Sequence, residues 1–254
     1  MSDSTRDLIL LLADTKRLLG MRYAEWILGA PALEAGIACA SMAQDEWGHG
    51  RLLYALLKDF GDDVAKLEHG REAAEYRNIE LLDESPKSWP DLVIVNALVD
   101  TALTIQLEAL RESSHTPLRG RVGKILDEEE FHAAHGAAWL KRIASSSPEA
   151  SQQMRTALDR ALPVLLRWFG PDSDRTNGML KSGVLNGNGS ELRTRFLERI
   201  APLLAIFDDA KVVRNVQPEF NGFDETTRRS TNRGPDAATI ARIRGDKNRA
   251  YLMD

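Results

Sequence analysis

Two long predicted helices of this 254-residue chain each contain a glutamate followed three residues later by a histidine. The first pair is Glu46 and His49, and the second is Glu129 and His132. Residues three apart on an α-helix lie on one face, so each pair directs a carboxylate and an imidazole towards one point beside its helix. Iron, manganese and zinc all accept these donors. The two pairs therefore predict a metal site.

The apolar residues around each pair indicate that both lie in a helical core. Met42 and Leu53 flank the first pair at helical spacing, and Ile125 and Gly136 flank the second. A buried carboxylate is unfavourable unless something compensates its charge, and a metal ion supplies that compensation. The alternative is that each pair belongs to an ordinary surface or locally paired helix. Two occurrences on core stripes favour the metal site.

The elements that must position these side chains follow from the helical periodicity of apolar residues. Predicted helices cover residues 5–28, 32–60, 91–112, 118–143, 149–168 and 190–209, and residues 172–189 are expected to form a loop. No segment alternates with the period of two that a half-buried strand requires. Four long helices with two tight turns and one crossover match a ferritin-like bundle. We expect an all-α, ferritin-like four-helix bundle with additional C-terminal helices and an irregular basic tail.

The predicted bundle domain covers residues 1–212, and residues 213–254 form a basic C-terminal extension that packs on it or lies flexibly beside it. Seven basic residues give the extension its character: Arg228, Arg229, Arg233, Arg242, Arg244, Lys247 and Arg249. One interpretation is a solvated or partly disordered tail. The other is a surface for an anionic ligand or an acidic partner subunit.

Composition excludes several classes of protein. A single cysteine excludes a disulfide scaffold and a cysteine-rich metal site. The net charge of −5 gives no basic footprint for nucleic acid. No apolar run reaches the roughly 20 residues of a membrane span, and the first residues lack the build of a signal peptide. We expect a soluble cytoplasmic protein that binds neither nucleic acid nor membrane.

A ferritin-like dimetal site also needs one carboxylate from each of the other two helices. With the first turn near residue 30, Asp14 lies level with Glu46 along the bundle axis. Around the second turn, Asp100 lies closer to the level of Glu129 than Glu108 does. The predicted additional ligands are Asp14 and Asp100, with Glu108 as the second choice.

Longer segments around these residues resemble the phenylacetyl-CoA epoxidase family, in particular its paired catalytic and structural large subunits. The matching segments are residues 43–50, 98–100, 128–132, 168–171, 191–196 and 244–249, which include Ala-Gln-Asp-Glu-Trp-Gly-His-Gly and Glu-Glu-Glu-Phe-His. The resemblance implies a ferritin-like fold. It also implies five metal ligands, which are Glu46, His49, Asp100, Glu129 and His132.

The resemblance further implies an activity. In the family's catalytic subunit, two iron ions activate dioxygen and deliver one oxygen atom to the aromatic ring of a CoA thioester, which becomes an epoxide. For this chain it implies a di-iron monooxygenase component acting on phenylacetyl-CoA or a similar CoA thioester in phenylacetate catabolism. Glu46 and Glu129 would bridge or chelate the irons as the catalytic ligands, with manganese or zinc less favoured. A reductase, small companion subunits and a hetero- or homo-oligomer are also implied.

The first helix departs from the pattern of the catalytic subunit. Where that subunit has a glutamate ligand, this chain has Lys16 or Arg17 beside Asp14. Either Asp14 supplies the sixth ligand, or the site lacks one ligand, or Lys16 replaces a metal charge by salt-bridging the acids. A non-catalytic structural subunit with a vestigial site is thus the alternative function. Iron storage or peroxide scavenging would use the same ligands but leaves the C-terminal resemblance unexplained.

Overall fold

The computed structural model of the chain describes residues 3–207 and 218–251. These residues are mainly helical, and the bridge that they contain joins Asp224 to Arg229. The α-helices are α1 (Asp3–Ala24), α2 (Leu33–Leu56), α3 (Val64–His69), α4 (Trp89–Ile94), α5 (Asp100–Glu108), α6 (Thr116–Ala144), α7 (Pro148–Trp168), α8 (Asp174–Lys181), α9 (Gly189–Leu204) and α10 (Ala237–Arg244). Short 3₁₀ turns lie at Leu57–Phe60, Ala73–Glu75, Glu80–Leu82, Ala205–Phe207 and Asp246–Tyr251. The predicted all-α class is confirmed.

Helices α1 and α2 form an antiparallel hairpin. Helix α1 buries side chains on almost every side, including Leu12, Lys16 and Leu19. The two backbones approach closely at Gly20, where a Cβ atom would lie 2.6 Å from the Trp47 indole nitrogen. A glycine is therefore needed at this crossing, because a larger side chain would displace the indole.

A long apolar helix crosses the core behind this hairpin. Ser88 caps α4 by accepting a hydrogen bond from the Asp91 N–H. A π-helical turn at Val95–Val99 follows, and α5 begins directly after it at Asp100. The segment Trp89–Glu108 is apolar and long enough to cross a membrane, but 83% of its most apolar window is buried inside the protein. It therefore has the character of a core helix. Single π-helical turns often occur at functional sites.

Helix α6 completes the helical core and packs against α2 and α5. The His115 side chain caps its start by accepting a hydrogen bond from the Leu118 N–H. The buried stripe of the helix includes Val122, Ile125, Glu129, His132 and Gly136. Both members of the second predicted pair are therefore on the inner face, as their spacing predicted.

The structure differs from expectation in the polar segments. The loop expected at residues 172–189 contains α8, which begins where the Ser173 hydroxyl accepts a hydrogen bond from the Thr176 N–H. The predicted domain boundary at residue 212 lies outside the described residues. In the described part of the extension, Ile240 and Ile243 are buried in the common core, and Arg229 pairs with Asp83. Residues 218–251 therefore pack on the bundle.

Candidate metal centre

Four buried side chains from three segments converge in the middle of the bundle. They are Glu46 on α2, Asp100 at the start of α5, and Glu129 and His132 on α6. Each offers one donor atom, and these four atoms all lie within 4.8 Å of one another. Three carboxylates and an imidazole at this spacing form a set of donors able to hold a metal ion.

Helix α1 contributes a lysine to this group. The Nζ atom of Lys16 lies 2.8 Å from Glu46 Oε1 and 2.5 Å from Glu129 Oε1. The side chains of Lys16 and Glu46 are completely buried, and that of Glu129 is 1% exposed. Lys16 thus bridges the two glutamates of the predicted site. We call Lys16, Glu46, Asp100, Glu129 and His132 the donor cluster.

The two predicted histidine ligands occupy different places. His132 Nδ1 lies 3.2 Å from Glu46 Oε1 and 3.7 Å from Asp100 Oδ2. His49 Nδ1 lies 3.3 Å from Glu129 Oε1, the oxygen that also receives Lys16. Lys16 Nζ therefore contacts the glutamate oxygen that neighbours each histidine. The histidines differ in that His132 is one of the four converging donors and His49 is not.

Each histidine has a second carboxylate on its outer side. His132 Nε2 lies 3.5 Å from Asp45 Oδ2, and His49 Nε2 lies 2.5 Å from Glu128 Oε2. Each contact crosses between α2 and α6. Carboxylates placed in this way fix the ring orientation and the protonated nitrogen of a metal-binding histidine.

Two polar residues that the sequence reasoning missed hold Asp100 in place. The Tyr23 hydroxyl donates a hydrogen bond of 2.5 Å and the Asn96 amide donates one of 2.7 Å to Asp100 Oδ2. Their spacing was an available signal: Tyr23 lies seven residues after Lys16 and Asn96 four residues before Asp100, so each lies on the same helical face as that neighbour.

The structure does not bring Asp14 into the donor cluster. Its carboxylate instead receives the Arg71 guanidinium, the Tyr54 hydroxyl and the Arg77 backbone N–H. The reason is the direction of the side chain, because residues two apart on a helix point roughly 200° from each other. Lys16 faces the cluster, and Asp14 faces the other way.

Glu108, the second choice for the ligand level with Glu129, also lies outside the donor cluster. Its carboxylate pairs with Arg199 at 3.1 Å, and both side chains are at least 36% exposed. Of the two candidates on this helix, the structure thus brings Asp100 into the cluster and leaves Glu108 at the surface.

The close charges of the donor cluster shift its pKa values in different directions. Burial alone would raise the pKa of Glu129, but the Lys16 ammonium and His49 lower it to about 2. Burial and the neighbouring Glu129 carboxylate raise the pKa of Glu46, although Lys16 opposes them. Burial would lower the pKa of His132, but Asp100 and Glu46 raise it to about 11. Asp100 and Glu46 therefore favour the protonated form of His132, whereas Lys16 favours the ionised form of Glu129.

Several acceptors of the cluster are unsatisfied. Glu46 Oε2, Asp100 Oδ1 and Glu129 Oε2 are buried and accept no hydrogen bond from the described part of the chain. A buried acceptor without a partner is unfavourable by about 1–3 kcal/mol, and native proteins seldom retain several together. Because the same three carboxylates belong to the four converging donors and are of a type that binds metals, the residues fit a metal ion.

A cavity of about 370 Å³ lies between the start of α2 and the C-terminal third of α6. Its lining includes His135, Trp139 and Arg142. His135 Nδ1 lies 3.0 Å from Asn96 Oδ1, and Asn96 in turn donates to Asp100. A chain of polar contacts therefore runs from the cavity wall to a predicted ligand.

Most of the chain is similar in sequence to known proteins. Residues 2–208 match the family model described as phenylacetic acid catabolic protein. Two relatives are different subunits of the 1,2-phenylacetyl-CoA epoxidase of Escherichia coli (strain K12). The chain is 30% identical to one of them over 184 residues, which cover 70% of this chain and 58% of that relative. It is 26% identical to the other over 165 residues, which cover 64% of this chain and 66% of that relative.

Proposed function

The chain belongs to the phenylacetic acid catabolic protein family, and from that premise we propose that it is a component of a multicomponent oxygenase. Its substrate would be phenylacetyl-CoA or a similar aryl-CoA thioester, whose aromatic ring is epoxidised. Similarity to two different subunits of an epoxidase supports this assignment. The reductase, the small companion subunits and the cytoplasmic location belong to the same proposal.

The observation that carries the proposal is the buried convergence of Glu46, Asp100, Glu129 and His132. Oxygen and nitrogen donors without sulfur suit iron and manganese, and zinc accepts them as well. We expect iron, because an epoxidation that uses dioxygen needs a metal that changes oxidation state. When bound, iron would supply the activation of dioxygen.

The chain's own residues would hold and shield that metal. Glu46 and Glu129 approach from α2 and α6, and Tyr23 and Asn96 fix the carboxylate of Asp100. The donors are at most 2% exposed, which excludes bulk water and protects reactive species from side reactions.

The cavity between the start of α2 and the C-terminal third of α6 is the place we propose for the CoA-thioester end of the substrate, because the ring itself has to reach the donor cluster. Trp139 offers an aromatic face there, and the Arg142 guanidinium lies 5.0 Å from the centre of that ring. Aromatic and apolar walls with a few polar groups are typical of small-molecule sites. Arg142 would meet the more polar part of a CoA thioester at the cavity mouth.

The test is reconstitution of the iron-loaded chain with its companion subunits and reductase. We expect oxygen consumption coupled to an epoxide product when phenylacetyl-CoA is supplied, measured with an oxygen electrode and by mass spectrometry. Glu129→Gln should abolish both signals. Glu130→Gln, on the exposed face of the same helix, is the matched control and should retain them.

Two outcomes would contradict the proposal in different ways. A complex that consumes no oxygen with any aryl-CoA thioester would exclude the oxygenase function. A complex in which Glu129→Gln keeps full activity would assign the chemistry to another subunit, and this chain would then be the non-catalytic partner.

A further inference from the structure

The donor cluster already contains one cation that the protein itself supplies, the ammonium group of Lys16. Lys16 Nζ contacts Glu46 Oε1 on α2 and Glu129 Oε1 on α6, so a positive charge already joins the carboxylates of these two helices. The same cluster offers four donor atoms, one from each of its acidic residues and one from His132, that lie within 4.8 Å of one another. We infer that Lys16 replaces one of the two metal ions, so that the chain binds a single divalent ion through Glu46, Asp100, Glu129 and His132.

Charge balance supports a single ion. Glu46, Asp100 and Glu129 carry three negative charges when ionised, and the Lys16 ammonium offsets one of them. One divalent ion then makes this buried group neutral when His132 is uncharged. Two divalent ions beside Lys16 would leave two uncompensated positive charges, which is strongly unfavourable in a buried site.

The surroundings of Lys16 support its permanent place in the site. Its side chain has no exposed surface, and its helix is covered by α2 along this face. One helical turn further on, the backbone at Gly20 lies so close to α2 that a Cβ atom would approach the Ala43 carbonyl oxygen to 3.1 Å. Lys16 would have to separate the two helices to leave the cluster for solvent.

The positions of the histidines give the inference a second consequence. His132 belongs to the four converging donors. His49 does not, although each histidine neighbours a glutamate oxygen that also receives Lys16, which is Glu46 Oε1 for His132 and Glu129 Oε1 for His49. The single ion should therefore depend on His132 and be independent of His49, although the two histidines have the same spacing from their glutamates.

The experiment counts metal ions on the purified chain, without substrate or partner subunits. The chain is loaded with Fe²⁺ or Mn²⁺ under anaerobic conditions and desalted, and metal is measured by mass spectrometry. We expect one ion per chain, with the Mn²⁺ form giving the electron paramagnetic resonance spectrum of an isolated ion. Lys16→Glu removes the ammonium and adds a carboxylate, so it should bind two ions and give the spectrum of a coupled pair.

Two histidine variants test the inference even if Lys16→Glu does not fold. His132→Ala should lose the single ion, and His49→Ala should retain it. Two ions on the unaltered chain, no ion at all, or equal loss in both histidine variants would overturn the inference. The inference rests on the proposed function only in requiring a metal, and the count does not depend on turnover. A chain with one ion that fails to support epoxidation would contradict the proposed function alone.

Discussion

Helix α1 presents a buried cluster of opposite charges on each of two sides. On one side Asp14, Tyr54 and Arg71 form what we call the Asp14 cluster. There one carboxylate meets one guanidinium, and the hydroxyl and a backbone N–H complete its hydrogen bonds. On the other side the donor cluster sets three carboxylates against Lys16, and three of their oxygens have no hydrogen bond from the described residues.

The difference separates a structural ion pair from a ligand site. Both clusters are buried, and both contain acidic residues that lie among apolar residues in the sequence. In the Asp14 cluster, charge and hydrogen bonding are complete without any ligand, so its contribution is to folding. In the donor cluster neither is complete, which indicates that something further binds there.

The largest expected effect is on folding and comes from Asp14→Asn. This change keeps the side-chain shape but removes the charge that compensates Arg71, whose side chain is 3% exposed. Breaking a buried pair by removing one partner destabilises a protein by about 3–5 kcal/mol. We expect a loss of that size in urea unfolding, with the number of bound metal ions unchanged.

Asp159→Asn is the control for this prediction, because Asp159 lies on the exposed face of α7 and should change stability by less than about 0.5 kcal/mol. An Asp14→Asn protein that is as stable as the unaltered chain but binds no metal would reverse our assignment of the two clusters.

The sequence predicted which acidic residues and histidines of α2 and α6 are buried better than it predicted the residues around them. Helical periodicity identified the inner faces of α2 and α6, because apolar residues repeat on the same stripes as Glu46 and Glu129. The level of a residue along the bundle axis suggested Asp14, but level does not determine which way a side chain points. The direction of the side chain on α1 selects Lys16 instead, an alternative that the sequence left open.

The remaining differences have similar physical reasons. Helix α8 is short and polar, and its apolar residues are limited to Met179 and Leu180, too few to reveal a periodic stripe, although Ser173 and Asp174 carry the signals of a helix start. The contacts of Glu128 with His49 and of Asp45 with His132 join different helices. They depend on how α2 and α6 cross, which the spacing within one helix does not determine.

A smaller effect, on metal affinity, should distinguish the carboxylate behind His132 from the carboxylate behind His49. Asp45→Asn removes the carboxylate behind His132, and changes of this kind weaken metal binding by about 10–100-fold. Glu128→Gln is the matched change behind His49 and should leave the affinity within about twofold. Competition with a fluorescent chelator measures both values, and both variants should unfold like the unaltered chain when metal-free.

This prediction has a clear contrary result. If Glu128→Gln weakens metal binding as much as Asp45→Asn does, the ion is held from both sides, and Lys16 does not exclude it from the position near His49.

The smallest expected effect has the opposite sign to the first and comes from Glu46→Gln. The pKa of Glu46 is raised above its ordinary value of 4.5, by burial and by the neighbouring acids. Its contribution to the stability of the metal-free protein is therefore present below about pH 4.5 and is lost as the pH rises through the folded-state pKa. Glutamine keeps an acceptor for Lys16 and removes the unfavourable charge.

We expect the free energy of unfolding to rise by about 1 kcal/mol at pH 7, since functional sites often sacrifice stability, and to rise by less near pH 4.5. Urea unfolding after chelation at the two pH values measures it. A loss of stability like that of Asp14→Asn would show that the donor cluster is also a structural ion pair.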